Sequence, residues 1–143
     1  QPVRFVVGAR GDDTFQRLAG LLNRGNAYAA GAGALILVCA DEGDDEPTAL
    51  YSGVDAGAAA ANLAVEAVAR GLISHPMAGF DVQGARSAFG IPSQVRPLMV
   101  IAVGSLADPE SVPGDVAERD RMPRERLPLA QVAFATTWGQ PWR

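Results

Sequence analysis

Residues 75–81, with the sequence His-Pro-Met-Ala-Gly-Phe-Asp, form the most informative stretch of the chain. Pro76 lacks a backbone N–H and has a fixed φ, and Gly79 tolerates a close approach of other atoms. Free N–H groups on small, apolar residues lie between these two positions. Such a turn could present two adjacent amides to a flat, electron-rich heterocycle. The simpler alternative is a Pro/Gly turn that connects two helices.

The segment before this stretch predicts a long helix. Residues 52–55 have the pattern of a capping box, and the helix continues to Arg70, with Gly71 as its C-cap. Glu66 and Arg70 are spaced to form an i,i+4 pair. Because nearly all the other residues are Ala, Val or Leu, we expect the helix to be buried on most sides. In a chain of this size, burial is easiest if a second subunit covers part of that surface. A central helix in a monomer is the alternative.

Working outward, apolar periodicity predicts the remaining elements. Three strands are expected, at residues 3–9, 34–40 and 98–103. Helices are expected at residues 13–23, after a cap at Asp12 or Asp13, and from a cap at Asp81 to Phe89. Helical turns are expected at residues 27–33 and 116–121. We predict one domain over residues 1–143, because the chain is long enough for a single substantial core.

Composition excludes several classes of partner. The net charge of −4 argues against nucleic acid or an anionic membrane surface as the main partner. The sequence contains no apolar run of membrane-spanning length and no signal-peptide pattern. Cys39 is the only cysteine and lies in an apolar run, which predicts a buried, inert thiol. These features fit a cytoplasmic protein.

Two further segments carry expectations about the surface and the chain start. Residues 41–47 are acidic, but their spacing does not match a calcium-binding loop, so we expect a solvated surface loop.

The chain begins at Gln1 without an initiator Met and enters an apolar strand almost at once. We therefore expect the sequence to be the interior part of a longer protein.

The only basic cluster lies between residues 119 and 126 and contains four arginines. Alternate residues in an extended segment face the same side, so Arg124 and Arg126 could bind one phosphate through charge-assisted hydrogen bonds. The alternative is a solvated loop of mixed charge, because Asp120 and Glu125 interrupt the cluster.

Side-chain catalysis is poorly supported. The glycine-rich pieces match neither a dinucleotide fingerprint nor a phosphate loop. One His and one Cys are too few for a zinc site, and no nucleophile-elbow pattern accompanies His75. We expect His75 to cap or pack rather than to catalyse, so no catalytic side chain and no metal ligand is predicted. Any difficult chemistry would come from a bound cofactor.

Five motifs in a fixed order resemble the FMN-dependent nitroreductase family. They are residues 75–81, 89–92 (Phe-Gly-Ile-Pro), 97–104, 124–129 (Arg-Glu-Arg-Leu-Pro-Leu) and 138–142 (Trp-Gly-Gln-Pro-Trp). The opening Gln1-Pro2-Val3 resembles the family's Gln-Pro-Trp strand entry, with Val3 in place of the usual Trp. The resemblance covers essentially the whole chain, although the family's N-terminal helices have no counterpart in it.

The resemblance implies an α+β fold with a mostly antiparallel sheet between helices. It also implies an intertwined homodimer with FMN at the subunit interface. The amides of Ala78 and Gly79 would face N5 and O4 of the flavin, with Pro76 and Met77 against the ring. Gln1 would lie near the pyrimidine edge. The arginine pair, Arg124 and Arg126, would bind the FMN phosphate, and the tail ending at Trp142 would cross onto the partner.

The activity implied by this resemblance is two-step electron transfer. NAD(P)H would reduce FMN and leave, and a nitroaromatic, quinone or related small-molecule acceptor would take its place. Two alternatives remain open from the sequence. One is a flavin-binding or dimerising protein without turnover, and the other is a family branch with different flavin chemistry, such as reductive dehalogenation or oxidative flavin breakdown.

Overall fold

The computed structural model describes residues 1–112 and 114–142. Its backbone contacts divide into two compact units, Gln1–Ala107 and Asp108–Arg143, which are described separately below. The single domain expected over residues 1–143 stays a prediction.

The first unit contains a four-stranded sheet and three α-helices. In chain order its elements are β1 (Val3–Ala9), α1 (Asp13–Gly20), a 3-10 segment (Arg24–Gly31), β2 (Ala34–Asp41), α2 (Glu46–Ala69), β3 (Ile73–Met77), α3 (Val82–Phe89) and β4 (Val95–Gly104). The strand order is β1-β2-β4-β3, and every neighbouring pair is antiparallel. The predicted α+β class with an antiparallel sheet is confirmed.

The second unit is mostly irregular. Its elements are a 3-10 turn (Pro109–Ser111), α4 (Gly114–Arg121) and a second 3-10 turn (Leu129–Gln131). An isolated antiparallel bridge joins Phe134 to Pro141 near the end of the chain. The helical turn predicted at residues 116–121 is therefore two residues longer at its start.

The two central strands, β2 and β4, form the core because both of their faces are covered. Alternate residues of β2 point to opposite faces. Leu35 and Leu37 belong to the cluster that includes residues of α1 and α3, whereas Val38 packs in the cluster with Ala56 of α2. A strand buried on both faces needs a continuous apolar run rather than an alternating one, which explains why residues 34–40 are identifiable from sequence.

The expected start of α2 at residues 52–55 is wrong. The helix begins at Glu46, where the side chain of Asp45 accepts a hydrogen bond from the Thr48 N–H at 2.9 Å. Pro47 fits the first turn, where a missing N–H costs nothing. The same backbone hydrogen bond holds the pKa of Asp45 below its usual value. Ser52 is fully buried inside the helix and donates to the Ala49 carbonyl instead of capping.

In the single chain α2 is not buried on most sides, and its cover by a second subunit stays a prediction. Large apolar side chains remain exposed along the helix, and Val65 and Val68 are each about 70% exposed. The predicted pair of Arg70 with Glu66 is confirmed at 2.6 Å. Within the described residues, no helix is long and apolar enough to cross a membrane.

The stretch 75–81 is not wholly a turn between helices. Its first three residues belong to β3, and only the residues after Met77 form the turn before α3. Strand β3 is an edge strand, where a proline is tolerated because one side of the strand needs no ladder hydrogen bonds.

Helix α1 ends at Gly20, earlier than predicted, and a 3-10 segment replaces the expected turn at residues 27–33.

Cys39 is buried on β2, as predicted. Burial raises the pKa of its thiol to about 11, against a smaller opposing effect of the positive charge of Arg86. The thiolate is therefore scarce at neutral pH, which agrees with an inert structural cysteine.

The contact between β1 and α1 depends on a glycine. A Cβ on Gly8 would lie 2.6 Å from the Phe15 Cα and 2.9 Å from the Thr14 carbonyl carbon, and backbone atoms cannot rotate away. We predict that Gly8→Ala lowers the free energy of unfolding by about 2 kcal/mol or more, as measured by urea denaturation. Gly20→Ala is the matched control, because a Cβ there meets nothing within 4 Å. A Gly8→Ala variant as stable as Gly20→Ala would contradict the packing described.

Candidate functional site

The turn after β3 carries two available amides. Met77 ends the strand, and Asp81 caps α3 by accepting a hydrogen bond from the Gly84 N–H at 2.8 Å. Between them, Ala78 is exposed and Gly79 is half-buried. In the part of the chain that the structure describes, the N–H groups of Ala78 and Gly79 donate no hydrogen bond. The turn therefore offers adjacent donors to a molecule from outside.

The turn is held in place by the segment that follows α1. The Asp81 N–H donates to the Leu21 carbonyl at 2.8 Å, and Leu22 forms an isolated bridge with Phe80. The Gly79 carbonyl accepts two hydrogen bonds, from the Asn23 N–H at 3.1 Å and from Asn26 Nδ2 at 2.9 Å. We call residues 21–26 the clamp segment.

Gly79 also permits a close approach of the clamp segment. A Cβ at this position would lie 2.7 Å from Asn26 Nδ2 and 3.5 Å from Asn23 Nδ2. A side chain at position 79 would therefore displace the Asn26 amide or itself occupy the exposed side of the turn. The requirement for glycine here comes from space and not from a positive φ.

Pro76 and Met77 differ in what they expose. Pro76 is exposed on the edge strand, whereas the Met77 side chain is 3% exposed and packs in the core cluster with residues of α1 and α3. The Met77 side chain thus anchors the end of β3 to the core. Any contact of Met77 with a ligand would come from its backbone.

His75 lies two residues before Met77 and is paired with a tyrosine. Its Nε2 is 2.8 Å from the hydroxyl of Tyr28 in the 3-10 segment, and the two rings are tilted with centroids 6.0 Å apart. Both side chains are exposed. This contact joins the 3-10 segment to β3, in addition to the hydrogen bonds between the clamp segment and the turn.

Gln1 lies at the far edge of the same sheet. Its carbonyl accepts a hydrogen bond from Arg4, which also pairs with Asp41 at 2.8 Å. Gln1 and these two side chains are among the residues that line a cleft of about 460 Å³ beside the start of α2. From the strand order and register, Gln1 is separated from Ala78 by three strand spacings perpendicular to the strands and by about five residues parallel to them. This separation is about 20 Å, which is beyond the reach of one flavin ring.

Arg124 and Arg126 belong to the second unit. Both are exposed in a segment without helix or strand, between α4 and the last 3-10 turn. Arg126 donates to the neighbouring Glu125 carbonyl at 3.0 Å. Their side chains are thus accessible to an anion, and their pairing on one phosphate stays a prediction.

Comparison with known proteins decides the family. The model of the Nitroreductase family matches residues 1–105 of this chain.

The chain belongs to the nitroreductase family.

Three similarities to individual proteins accompany this match. A protein of Mycolicibacterium smegmatis, named "Uncharacterized 15.4 kDa protein in ask 5'region", is 59% identical over 97% of this chain and 99% of its own length. A crystal structure of an oxidoreductase containing FMN is 33% identical, with a TM-score of 0.86 over 96% of this chain and 72% of that one. A crystal structure of a protein from Exiguobacterium sibiricum in complex with FMN shares the fold, with a TM-score of 0.74 at 20% identity over 95% of this chain and 77% of that one.

For a nitroreductase-family chain, the described geometry favours binding over side-chain catalysis. Donors at the turn are backbone N–H groups, which can bind an electron-rich edge but are too weakly acidic to serve as general acids near neutral pH. The residues that the structure describes bring together no group of three His, Cys, Asp or Glu side chains suited to a metal ion. Family membership supports an oxidoreductase, whose redox chemistry then needs a cofactor.

Sequence reasoning missed the clamp segment of this nitroreductase chain. The two asparagines and Tyr28 lie in a stretch predicted only as a helix end and a helical turn. Their contacts reach 47 or more residues along the chain, to His75 and Gly79. Two asparagines three residues apart at a helix end are common turn residues, so the sequence held no signal specific to this role.

Proposed function

We propose that this chain is an FMN-dependent oxidoreductase that takes electrons from NAD(P)H and passes them to a nitroaromatic, quinone or related small acceptor. One observation carries the proposal. In a chain of the nitroreductase family, the turn after β3 presents the unpartnered N–H groups of Ala78 and Gly79, and the clamp segment fixes that turn. Two donors on a rigid backbone suit the electron-rich edge of a flavin better than a flexible side chain would.

The residues present fit this cofactor. Ala78 is small and exposed, and Gly79 has no side chain to block the approach of a flat ring to the two N–H groups. Pro76 offers an exposed apolar surface beside them. Bound FMN would supply the chemistry by accepting a hydride and releasing the electrons to the second substrate. The turn would stabilise negative charge that develops on the reduced ring, so no acid, base or nucleophile is required.

The same proposal includes a homodimer. Because Gln1 and the turn lie about 20 Å apart in one chain, both can contact one flavin only if Gln1 comes from a second copy. The exposed apolar side chains of α2 provide a surface that such a copy would cover. Trp138 is 91% exposed in the single chain, and its ring is tilted against that of Phe134, with centroids 4.8 Å apart. A tail of this kind would be stabilised by docking on the partner.

An open site would allow the two substrates to bind one after the other at the same position. NAD(P)H and the acceptor would use the same exposed side of the turn, one after the other. The turn residues Ala78 and Gly79 contribute backbone donors and no polar side chain, so we expect broad acceptance of flat acceptors rather than a single tightly recognised substrate. The cytoplasmic location expected from the sequence fits the use of NAD(P)H.

The decisive experiment is the visible absorbance of the purified protein. We predict a yellow protein, or one that becomes yellow with added FMN, whose colour is bleached by NADH or NADPH without oxygen and restored by a quinone. Colourless protein after incubation with FMN would contradict the proposal. A yellow protein that neither nucleotide bleaches would favour a flavin-binding protein without turnover.

The proposed binding of the FMN phosphate by Arg124 and Arg126 can be tested with a charge-matched control. We predict that the double variant Arg124→Ala/Arg126→Ala weakens FMN binding by about tenfold or more, because two charge-assisted hydrogen bonds are lost. Riboflavin has no phosphate, so its affinity should stay unchanged. The control Arg119→Ala/Arg121→Ala removes the same charge from α4 and should have a much smaller effect. Equal losses in both double variants, measured by fluorescence quenching, would contradict a specific phosphate site.

The homodimer can be tested separately. We predict that the protein sediments at twice the chain mass, and that Val65→Lys on α2 shifts it to monomer and weakens FMN binding. A buried, unpaired charge at an apolar interface is strongly unfavourable. Gln16→Lys on the exposed side of α1 is the control and should leave the dimer intact. A wild-type monomer that binds FMN with full affinity would contradict the two-subunit site.

A further inference from the structure

A continuous chain of hydrogen bonds ends at the Gly79 N–H. Asn26 Nδ2 donates to the Gly79 carbonyl at 2.9 Å. The Phe80 N–H, in the same peptide group as that carbonyl, donates back to the Ala78 carbonyl at 3.2 Å. The Ala78 carbonyl in turn shares its peptide group with the Gly79 N–H. Each link therefore passes through one planar, polarisable amide to the next.

Such a chain strengthens its last donor. A peptide whose carbonyl accepts a hydrogen bond becomes a better donor at its N–H, and consecutive bonds reinforce one another by about 10–30% each. The Gly79 carbonyl also accepts from the Asn23 N–H at 3.1 Å, which adds to the same polarisation. The Ala78 N–H lies outside this chain because its peptide group contains the Met77 carbonyl. The two adjacent donors of the turn are thus unequal.

We propose that Asn26 is a positioning residue that orients and polarises the Gly79 N–H, and so makes the bound flavin easier to reduce. This inference rests on the proposed function, because it assigns Asn26 a role toward the flavin of the same site. The Asn26 side chain does not need to touch the flavin for this role. It acts through two peptide groups, and it favours the reduced ring because reduction adds electron density to the carbonyl oxygen O4, which is one of the two ring atoms that the turn would face.

The geometry distinguishes Asn26 from Asn23. Asn26 bonds the Gly79 carbonyl with its side chain, whereas Asn23 uses its backbone N–H, which a substitution leaves in place. Asn26 is half-buried and its own N–H donates to the Asn23 carbonyl at 2.8 Å, so its amide is held on a fixed backbone. The pair therefore provides matched variants of one residue type in one segment.

The test compares the affinity for oxidised and reduced FMN in Asn26→Ala and Asn23→Ala. We expect Asn26→Ala to weaken the binding of reduced FMN more than that of oxidised FMN, by up to about twofold, because each link strengthens the next hydrogen bond by only a fraction of its net value. A twofold change in this ratio lowers the two-electron potential by about 9 mV. Asn23→Ala should leave the ratio unchanged.

A purely structural role for Asn26 gives a different result. If Asn26 only held the turn in place, Asn26→Ala would weaken oxidised and reduced FMN equally, and the ratio would not move. That outcome, or an equal shift in Asn23→Ala, would overturn the inference. If Asn26→Ala does not fold, Asn26→Asp keeps the shape and removes the donor. Asn23→Asp is then its charge-matched control, and the same comparison of ratios decides.

A measurement on the protein without flavin separates this inference from the proposed function. A strongly polarised N–H has its amide proton shifted downfield in the ¹H–¹⁵N spectrum. We expect Asn26→Ala to move the Gly79 proton upfield while the Ala78 proton stays in place. Unchanged Gly79 resonances would overturn the inference even if FMN binds normally. Conversely, if the Gly79 proton shifts as expected but the protein does not bind FMN, the polarised donor is supported and the proposed flavin site is contradicted.

Discussion

The capture of the Gly79 carbonyl is the interaction on which the site depends. An edge strand that ends in a short loop would normally leave that loop mobile. Here two hydrogen bonds to one carbonyl, together with the bond from Asp81 to Leu21, fix the turn against a segment more than 50 residues earlier in the chain. The conformation of the turn therefore depends on tertiary contacts, because its hydrogen-bond partners lie in a segment distant in sequence.

The sheet brings these two segments together. Met77 anchors the end of β3 in the core between α1 and α3, and α1 ends where the clamp segment begins. Pro76 can occupy β3 only because the strand lies at an edge, and that same edge leaves the turn open to a ligand. Burial on one side and exposure on the other explain how a turn can be rigid and still present its N–H groups outward.

The sequence predicts the parts of the fold that local physics determines. Strands β1 and β2 and the Asp81 cap of α3 follow from apolar runs and turn residues, and they agree with the structure within a residue or two. The start of α2 is harder to predict because two caps compete there, and Asp45 followed by Pro47 is the better one. The role of Asn26 could not be predicted, because it depends on a contact 53 residues away. The candidate site residues are predicted mainly by the family resemblance, because the turn chemistry alone is equally consistent with a simple connection between two elements.

Backbone amides, and not side chains, are the proposed chemical centre of this chain. The most direct test is a crystal structure of the protein grown with FMN. We predict that the N–H groups of Ala78 and Gly79 lie at hydrogen-bond distance, about 2.7–3.2 Å, from the N5 and O4 edge of the ring, with Gln1 of a second copy near the pyrimidine. FMN bound elsewhere, or with that edge turned away from both amides, would contradict it.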